Sequence, residues 1–318
     1  MADLMVLCST TPEMQLRLSG AFDVVYEHDL PDVPTWLDEH GEDIRYILTD
    51  GHLGLPSEVL SRVPNLKAVS SYGVGYDAID TGKTNARGIP VSHTPSVLDE
   101  EVATTALLLY LSVMRGFVTQ ANHAKAGRWE TQGGLPLTRS ADGRKIGILG
   151  LGRIGKALAR KLAPFGAEIS YCGRSMQDND YQYFASLTEM ARHVDVLICI
   201  APGGASTHHI VNADVMAALG ANGVLINVGR GSIVDEIALA SALNSGTLGG
   251  AGLDVFENEP YIPKTLREMP NVVVTPHIGS ATIETRRAMG ALAVDNIVEH
   301  KASGKMHTPV PECIHLFN

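Results

Sequence analysis

Short apolar runs recur along this chain at intervals that leave room for a helix between each pair. In the N-terminal third, residues 4–8, 22–26, 46–49 and 66–70 each have the length of a buried strand. Thr11-Pro12-Glu13 puts a capping hydroxyl and a proline at a helix start, which predicts a helix to about Leu18. Residues 95–115 carry Ala103, Ala106, Leu107, Tyr110, Leu111 and Met114 at helical spacing. A helix of that length suits a connector between domains or a surface that packs subunits together.

From Lys145 the alternation starts afresh. Residues 146–149, 168–172, 194–200, 223–227, 250–255 and 272–275 read as six strands with helices between them. This rhythm builds parallel sheets, so the chain is predicted to be α/β, with six strands enough for a complete doubly wound sheet. A long helix is predicted after Ser280, to about His300, and the proline-containing tail 304–318 reads as irregular.

The turn that closes the first strand of the second series is Gly150-Leu151-Gly152-Arg153-Ile154-Gly155, and residues 156–162 continue as a helix. Its G-x-G-x-x-G spacing in a strand–turn–helix setting is that of a dinucleotide pyrophosphate site. Gly150 permits the tight turn, Gly152 lets phosphate approach the backbone, and Gly155 lets helix and strand pack closely. The helix N-terminus adds free N–H groups and the positive end of its dipole. The motif lies near the middle of the chain, so another domain precedes the cofactor site.

The end of the next strand selects between cofactors. A site for NAD places Asp or Glu there to bind the ribose 2′-hydroxyl. This chain reads Ser170-Tyr171-Cys172-Gly173-Arg174-Ser175, with no acidic residue. Arg174 can hold a 2′-phosphate through its planar fork and Ser175 can donate a further bond. NADPH is therefore the predicted cofactor, with NADH as the alternative.

Three later segments carry polar groups just beyond predicted strands: Asn227-Val228-Gly229-Arg230-Gly231, then Leu253-Asp254-Val255-Phe256-Glu257-Asn258-Glu259-Pro260, then Thr275-Pro276-His277-Ile278-Gly279-Ser280. The carboxyl edge of an open α/β sheet is where ligands bind. In this order, with the central glycine motif, the segments resemble the D-2-hydroxyacid dehydrogenase family over essentially the whole chain. Gly173-Arg174-Ser175 and Glu284-Thr285-Arg286 look most like the glyoxylate/hydroxypyruvate reductases of that family.

The resemblance implies Arg230, Glu259 and His277 as catalytic residues. Reduction of a 2-ketoacid needs a hydride at the carbonyl carbon and a proton at its oxygen. His277 suits the proton donor, because an imidazole titrates near neutral pH and a carboxylate such as Glu259 orients it and favours its charged form. Arg230 would bind the substrate carboxylate and polarise the ketone. The resemblance also implies cofactor contacts from Arg153, Ile154, Gly173, Ala201, Pro202, Thr207, Val228, Asp254, Gly279 and Ser280, with Asp254 on the nicotinamide carboxamide. In the first domain, the glycines of Tyr72-Gly73-Val74-Gly75 suggest a loop whose amides converge on an anion. In the resembled family this loop binds the substrate carboxylate. A plain turn with Asp77 as a helix N-cap is the competing reading.

The implied architecture is a Rossmann cofactor domain, residues 98–291, inserted into a flavodoxin-like parallel-sheet substrate domain made of residues 1–97 and 292–318. Composition narrows the partners. The formal net charge is −10 and there is no run of Lys or Arg, which disfavours nucleic acid and anionic membranes. No leader segment or membrane-length apolar run is evident. The four scattered cysteines read as reduced thiols of a cytoplasmic protein. His208-His209 reads as a surface pair, and no metal site is predicted. A homodimer follows from the resemblance, with Trp129 at a subunit contact or near the active site.

The leading expectation is NADPH-dependent reduction of glyoxylate or hydroxypyruvate to a D-2-hydroxyacid. A reductase of a bulkier 2-ketoacid, such as hydroxyphenylpyruvate or 2-ketogluconate, stays open, as does a dinucleotide-sensing regulatory protein on the same fold. Formate or phosphite as substrate fits these segments less well.

Overall fold

The computed structural model describes residues 2–317; Met1 and Asn318, the outer limits of the expected substrate domain, lie outside the described residues. The chain divides into two compact units, Met1–Leu98 with Thr282–Asn318, and Asp99–Ala281. The chain re-enters the first unit at Thr282, earlier than the expected 292. The reason is a single uninterrupted helix, Ile283–Ser303, whose first free amide is capped by the Thr282 hydroxyl. Its buried residues Met289, Ala293, Val294 and Ile297 pack within the first unit, and Ser70 Oγ donates to Ala293 O at 2.8 Å.

The first unit is built on a five-stranded sheet: β1 (Leu4–Val6), β2 (Val24–Tyr26), β3 (Tyr46–Thr49), β4 (Ala68–Ser71) and β5 (Val91–Ser92). All neighbours are parallel, in the order β2-β1-β3-β4-β5, the flavodoxin-like arrangement. β5 was not expected, because two residues leave no apolar run to read. The tail is ordered rather than irregular. Val310 and Cys313 are fully buried against Met5, Ile47, Val69 and Val91, residues 311–317 form a 3₁₀ turn, and Pro309 bridges Ser92. The six apolar residues of the tail are broken up by prolines, histidines and charges and form no period that shows this from the sequence.

The second unit has seven strands: β6 (Lys145–Leu149), β7 (Glu168–Cys172), β8 (Gln182–Phe184), β9 (Val196–Cys199), β10 (Val224–Asn227), β11 (Gly250–Leu253) and β12 (Val272–Val274). They are parallel, in the order β12-β11-β10-β9-β6-β7-β8. The order reverses between β6 and β9, the point where a doubly wound sheet opens a crevice for a ligand. β8 is the strand beyond the six expected; it is a three-residue edge strand, exposed or half-buried throughout. The central strands β9 and β10 are buried at every position, as strands covered on both faces must be.

The long helix proves to be Asp99–Met114, and its role differs from the connector expected of it. Val102, Ala103, Ala106, Leu109, Tyr110 and Met114 are buried against the helix Arg153–Leu162 and the strands β10 to β12, so it belongs to the core of the second unit. Among the described residues no single helix is long and apolar enough to cross a membrane.

The Asn296 amide is fully buried and closes a two-way link with the tail. Its Nδ2 donates to Thr308 Oγ1 at 2.8 Å, and its Oδ1 accepts Thr308 N–H at 2.9 Å. Asn296→Ala is expected to cost about 1–3 kcal/mol through the orphaned Thr308 groups, read as a lower midpoint in urea or thermal unfolding.

Candidate active site

The glycine turn has the three spatial roles its spacing predicts. Gly150 has φ +99°, and a Cβ there would lie 2.9 Å from the backbone of Ala201 just beyond β9. Gly155 is pressed so closely on the preceding turn that a Cβ would sit 2.4 Å from Gly150 O. Gly152 is different: nothing lies within 4 Å of a Cβ built on it, and its φ of −82° suits any residue. The first and third glycines are demanded by packing, whereas the second keeps space open. Gly152 is the N-cap of the helix Arg153–Leu162, and no side chain caps that end. Its first amides therefore remain available to an anion. These residues fit a dinucleotide pyrophosphate.

The Arg153 guanidinium is paired with Asp99 at 3.3 Å, and Ile154 is half-buried in the same first turn. At the end of β7, Gly173 is half-buried while Arg174 and Ser175 are exposed. Arg174 makes no hydrogen bond or ion pair among the described residues, so its fork stands ready for a phosphate. Ala201 and Val228 are buried at the ends of β9 and β10, and Pro202 is exposed. Thr207 turns its hydroxyl inward, donating to Pro202 O at 2.8 Å, and so braces the 202–207 turn.

Arg230 follows β10 on a turn shaped by Asn227. That buried amide accepts Gly229 N–H at 3.1 Å and donates to Arg230 O at 2.8 Å. Arg230 Nη1 donates to Gly229 O at 2.8 Å. Glu259 and His277 meet directly, Nδ1 of the ring donating to Oε2 at 2.7 Å. The other oxygen of Glu259 accepts Phe256 N–H at 3.0 Å, which fixes the carboxylate from its own turn. The His277 side chain is 40 % exposed and that of Glu259 only 15 %. The pair thus presents a ring to solvent and keeps its carboxylate shielded, and Nε2 is the nitrogen left for proton transfer.

His277 sits in the left-handed region at φ +53°, a conformation costing on the order of 1–3 kcal/mol outside glycine. Asp254 offsets that cost. Its backbone carbonyl accepts His277 N–H at 2.9 Å, its Oδ1 accepts Ile278 N–H and Thr275 Oγ1–H at 2.7 Å each, and its Oδ2 accepts Gly279 N–H at 2.8 Å. Burial raises the Asp254 carboxyl above its ordinary pKa, opposed by these hydrogen bonds. Asp254 is expected on the cofactor; these bonds show that its carboxylate also gathers the loop that carries His277. Gly279 is buried beside it and Ser280 half-buried.

The loop Tyr72–Gly75 leaves β4 in the first unit. Its carbonyls are tied inward: Gly73 O accepts Thr94 N–H at 2.8 Å, Val74 O accepts His93 Nδ1–H at 2.9 Å, and Gly75 O faces Ser71 Oγ at 3.5 Å. The amides of Gly73, Val74 and Gly75 make no backbone hydrogen bond among the described residues. Tyr72 is less available than expected, since its hydroxyl donates to Arg286 O at 3.1 Å and its ring lies 5.8 Å from the Arg286 guanidinium. The helix after this loop is capped by Asp80, which accepts Lys83 N–H, and not by Asp77.

Sequence reasoning missed several residues that shape these sites. Asn227 had a signal, a polar residue ending the run Val224-Leu225-Ile226. Thr275, Glu236 and His93 had none. Glu236 accepts Glu257 N–H at 2.9 Å, gripping the Glu259 turn from behind, and burial raises its pKa. His208, His209 and Glu257 bring three potential ligand atoms within 4.8 Å. The Glu257 oxygen concerned already accepts a hydrogen bond from His209 Nε2, against whose ring His208 stacks at 4.0 Å.

Residues 107–279 match the family described as D-isomer specific 2-hydroxyacid dehydrogenase, NAD binding domain. The chain is 40 % identical to glyoxylate/hydroxypyruvate reductase A of Arabidopsis thaliana over 96 % of its length and 98 % of that protein. It is 39 % identical to hydroxyphenylpyruvate reductase of Plectranthus scutellarioides, again over 96 % and 98 %. The crystal structure of an NADPH-dependent glyoxylate/hydroxypyruvate reductase from Sinorhizobium meliloti, in complex with NADP and malonate, superposes with a TM-score of 0.92 at 43 % identity, covering 98 % of this chain and 97 % of that one.

The three glycines are separable by experiment. Gly152→Ala is expected to leave the thermal midpoint nearly unchanged while weakening dinucleotide binding on the order of tenfold, about 1.4 kcal/mol, measured by fluorescence titration. Gly155→Ala is expected to lower the midpoint itself, by about 1–3 kcal/mol of overpacking.

Proposed function

The chain belongs to the D-isomer specific 2-hydroxyacid dehydrogenase family, and from that premise we propose that it reduces glyoxylate and hydroxypyruvate to D-2-hydroxyacids with NADPH. The observation that carries this reading is the His277–Glu259 pair at 2.7 Å, with the ring open to solvent and its carboxylate shielded. NADPH, when bound, supplies the hydride that reaches the carbonyl carbon. His277 Nε2 gives a proton to the carbonyl oxygen, and Glu259 holds the ring in the orientation and tautomer for that transfer. Arg230 binds the ketoacid and polarises its carbonyl. The amides of Val74 and Gly75, with their carbonyls tied away, serve the substrate carboxylate.

In the second unit, Gly150, Gly152, Gly155 and the first turn of the following helix take the pyrophosphate. Arg174 and Ser175 take the 2′-phosphate. The remaining cofactor residues are Arg153 and Ile154 through their backbone, Gly173, Ala201, Pro202, Val228, Gly279 and Ser280. Asp254, on the nicotinamide carboxamide, and Thr207 belong with them, and each also holds its loop. The NADP complex of the Sinorhizobium meliloti relative supports the choice of cofactor.

The enzyme works as a homodimer in the cytoplasm. Support for the dimer is an apolar surface on the second unit, where Leu108, Phe117 and Leu137 are 49 %, 60 % and 101 % exposed. Four buried, unbridged thiols support a reducing compartment. Light scattering on the purified protein is expected to give twice the chain mass, and Leu137→Lys with Phe117→Lys to reduce it.

A substrate panel with NADPH tests the activity, glyoxylate and hydroxypyruvate being expected to exceed hydroxyphenylpyruvate and 2-ketogluconate in kcat/KM. Absence of turnover with every 2-ketoacid would remove the enzyme reading in favour of a dinucleotide-sensing protein. His277→Ala is expected to lower kcat by about 10²–10⁴-fold while NADPH binding persists. Arg174→Asp is expected to lower the NADPH:NADH ratio of kcat/KM on the order of a hundredfold, from two charge-assisted hydrogen bonds lost.

A further inference from the structure

The loop Tyr72–Gly75 has no strand partner of its own, yet its three carbonyls are all directed to one side by groups around β4 and β5. Two of these are backbone or hydroxyl contacts that many sequences would reproduce. The third is a side chain, His93. It is 8 % exposed, and its Nδ1 lies 2.9 Å from Val74 O. A carbonyl only accepts, so Nδ1 carries the proton in this contact.

His93 is held in place from several directions. Its N–H donates to Thr308 O at 3.1 Å, and its carbonyl accepts Thr308 Oγ1–H at 2.6 Å. Thr308 accepts in turn from the buried Asn296 amide. The Tyr76 ring packs edge-on against the imidazole, with centroids 5.2 Å apart at 89°, and its hydroxyl donates to Glu312 at 3.1 Å. A chain of contacts from the helix Ile283–Ser303 and the C-terminal tail therefore ends on a single loop carbonyl.

We propose that His93 is a positioning residue for substrate: by holding Val74 O it sets the Gly75 amide as a donor for the ketoacid carboxylate beside the Val74 amide, whose own peptide plane Thr94 holds through Gly73 O. A peptide plane is rigid, with C=O and N–H on opposite sides. Pinning the Val74 carbonyl therefore sets the direction of the Gly75 N–H in the same plane. Without the pin, that plane can rotate and the donor pair loses its convergence. The assignment rests on the carboxylate-binding role given to this loop above. It also gives the tail a function, since Thr308 and Glu312 secure the histidine and its aromatic neighbour.

The test is steady-state kinetics of the full-length enzyme with NADPH and glyoxylate, for wild type, His93→Ala and His93→Asn, with thermal midpoints recorded. His93→Ala is expected to raise the glyoxylate KM by about tenfold or more, with kcat within about twofold and the NADPH KM unchanged, the pattern of lost ground-state binding. His93→Asn keeps an N–H donor of similar reach and is expected to recover most of that loss. A wild-type KM in His93→Ala overturns the assignment. So does a KM rise that Asn does not reverse, or one shared equally by NADPH, since either marks a general structural role. These failures leave wild-type turnover intact. Absence of 2-ketoacid turnover in the wild type would instead overturn the activity itself, and this inference with it.

Discussion

The carboxylate of Asp254 is the point on which the reacting end of the second unit depends. It is buried at the end of β11, where an ionised group is costly unless hydrogen bonds surround it. The loop after β12 supplies them. Two successive amides and the Thr275 hydroxyl bond the carboxylate, and a third amide bonds the Asp254 carbonyl. This satisfies the buried charge and bends the loop so that His277 occupies a left-handed conformation. The same bend presents the imidazole to Glu259. One buried charge thus converts desolvation cost into the aim of a side chain on another strand end.

The turns around it follow a similar logic. Polar side chains satisfy backbone groups at places where a strand has ended and no helix has begun. Asn227 does this for the Arg230 turn, and Glu236 and Glu259 do it for the turn after Phe256. Loops anchored in this way keep the side chains of Arg230, Glu259 and His277 within narrow limits without lengthening the strands. In the first unit the same means acts on the loop after β4, where His93 and Thr94 hold the carbonyls of Val74 and Gly73. The cofactor turn instead depends on what is missing. Gly150 and Gly155 are required because backbone lies where a side chain would be, and at Gly152 the space beside the turn stays open.

Both sheets are parallel, and Gly150, Asp254, His277, Arg230 and the loop after β4 lie just past the carboxyl ends of strands. That common placement follows from topology. A right-handed strand–helix–strand crossover leaves the loops after the strands on one edge, where helix N-termini also gather. The apolar runs of β3, β9 and β10 were legible because strands covered on both faces need near-continuous apolar residues. β5 and β8 were not legible, one being two residues long and the other a half-exposed edge. The tail was misread for a related reason: its contribution to the core comes from Val310 and Cys313, and two buried residues make no period.

The trio Arg230, Glu259 and His277 is what the family resemblance implied; by itself, the amino-acid sequence determined the α/β class, the dinucleotide turn and the absence of a carboxylate after β7. These are properties of local spacing and residue chemistry, and they survive whatever the rest of the chain does. Tertiary structure alone decided where the first unit resumes, because helix continuity is settled by packing on β4. It alone showed Asp254 as the anchor of the His277 loop, and His93, Asn296 and Thr308 as a line of support reaching Val74. Those roles arise between residues 12 to 215 positions apart. A polar side chain has no period and no motif until the fold brings it a partner.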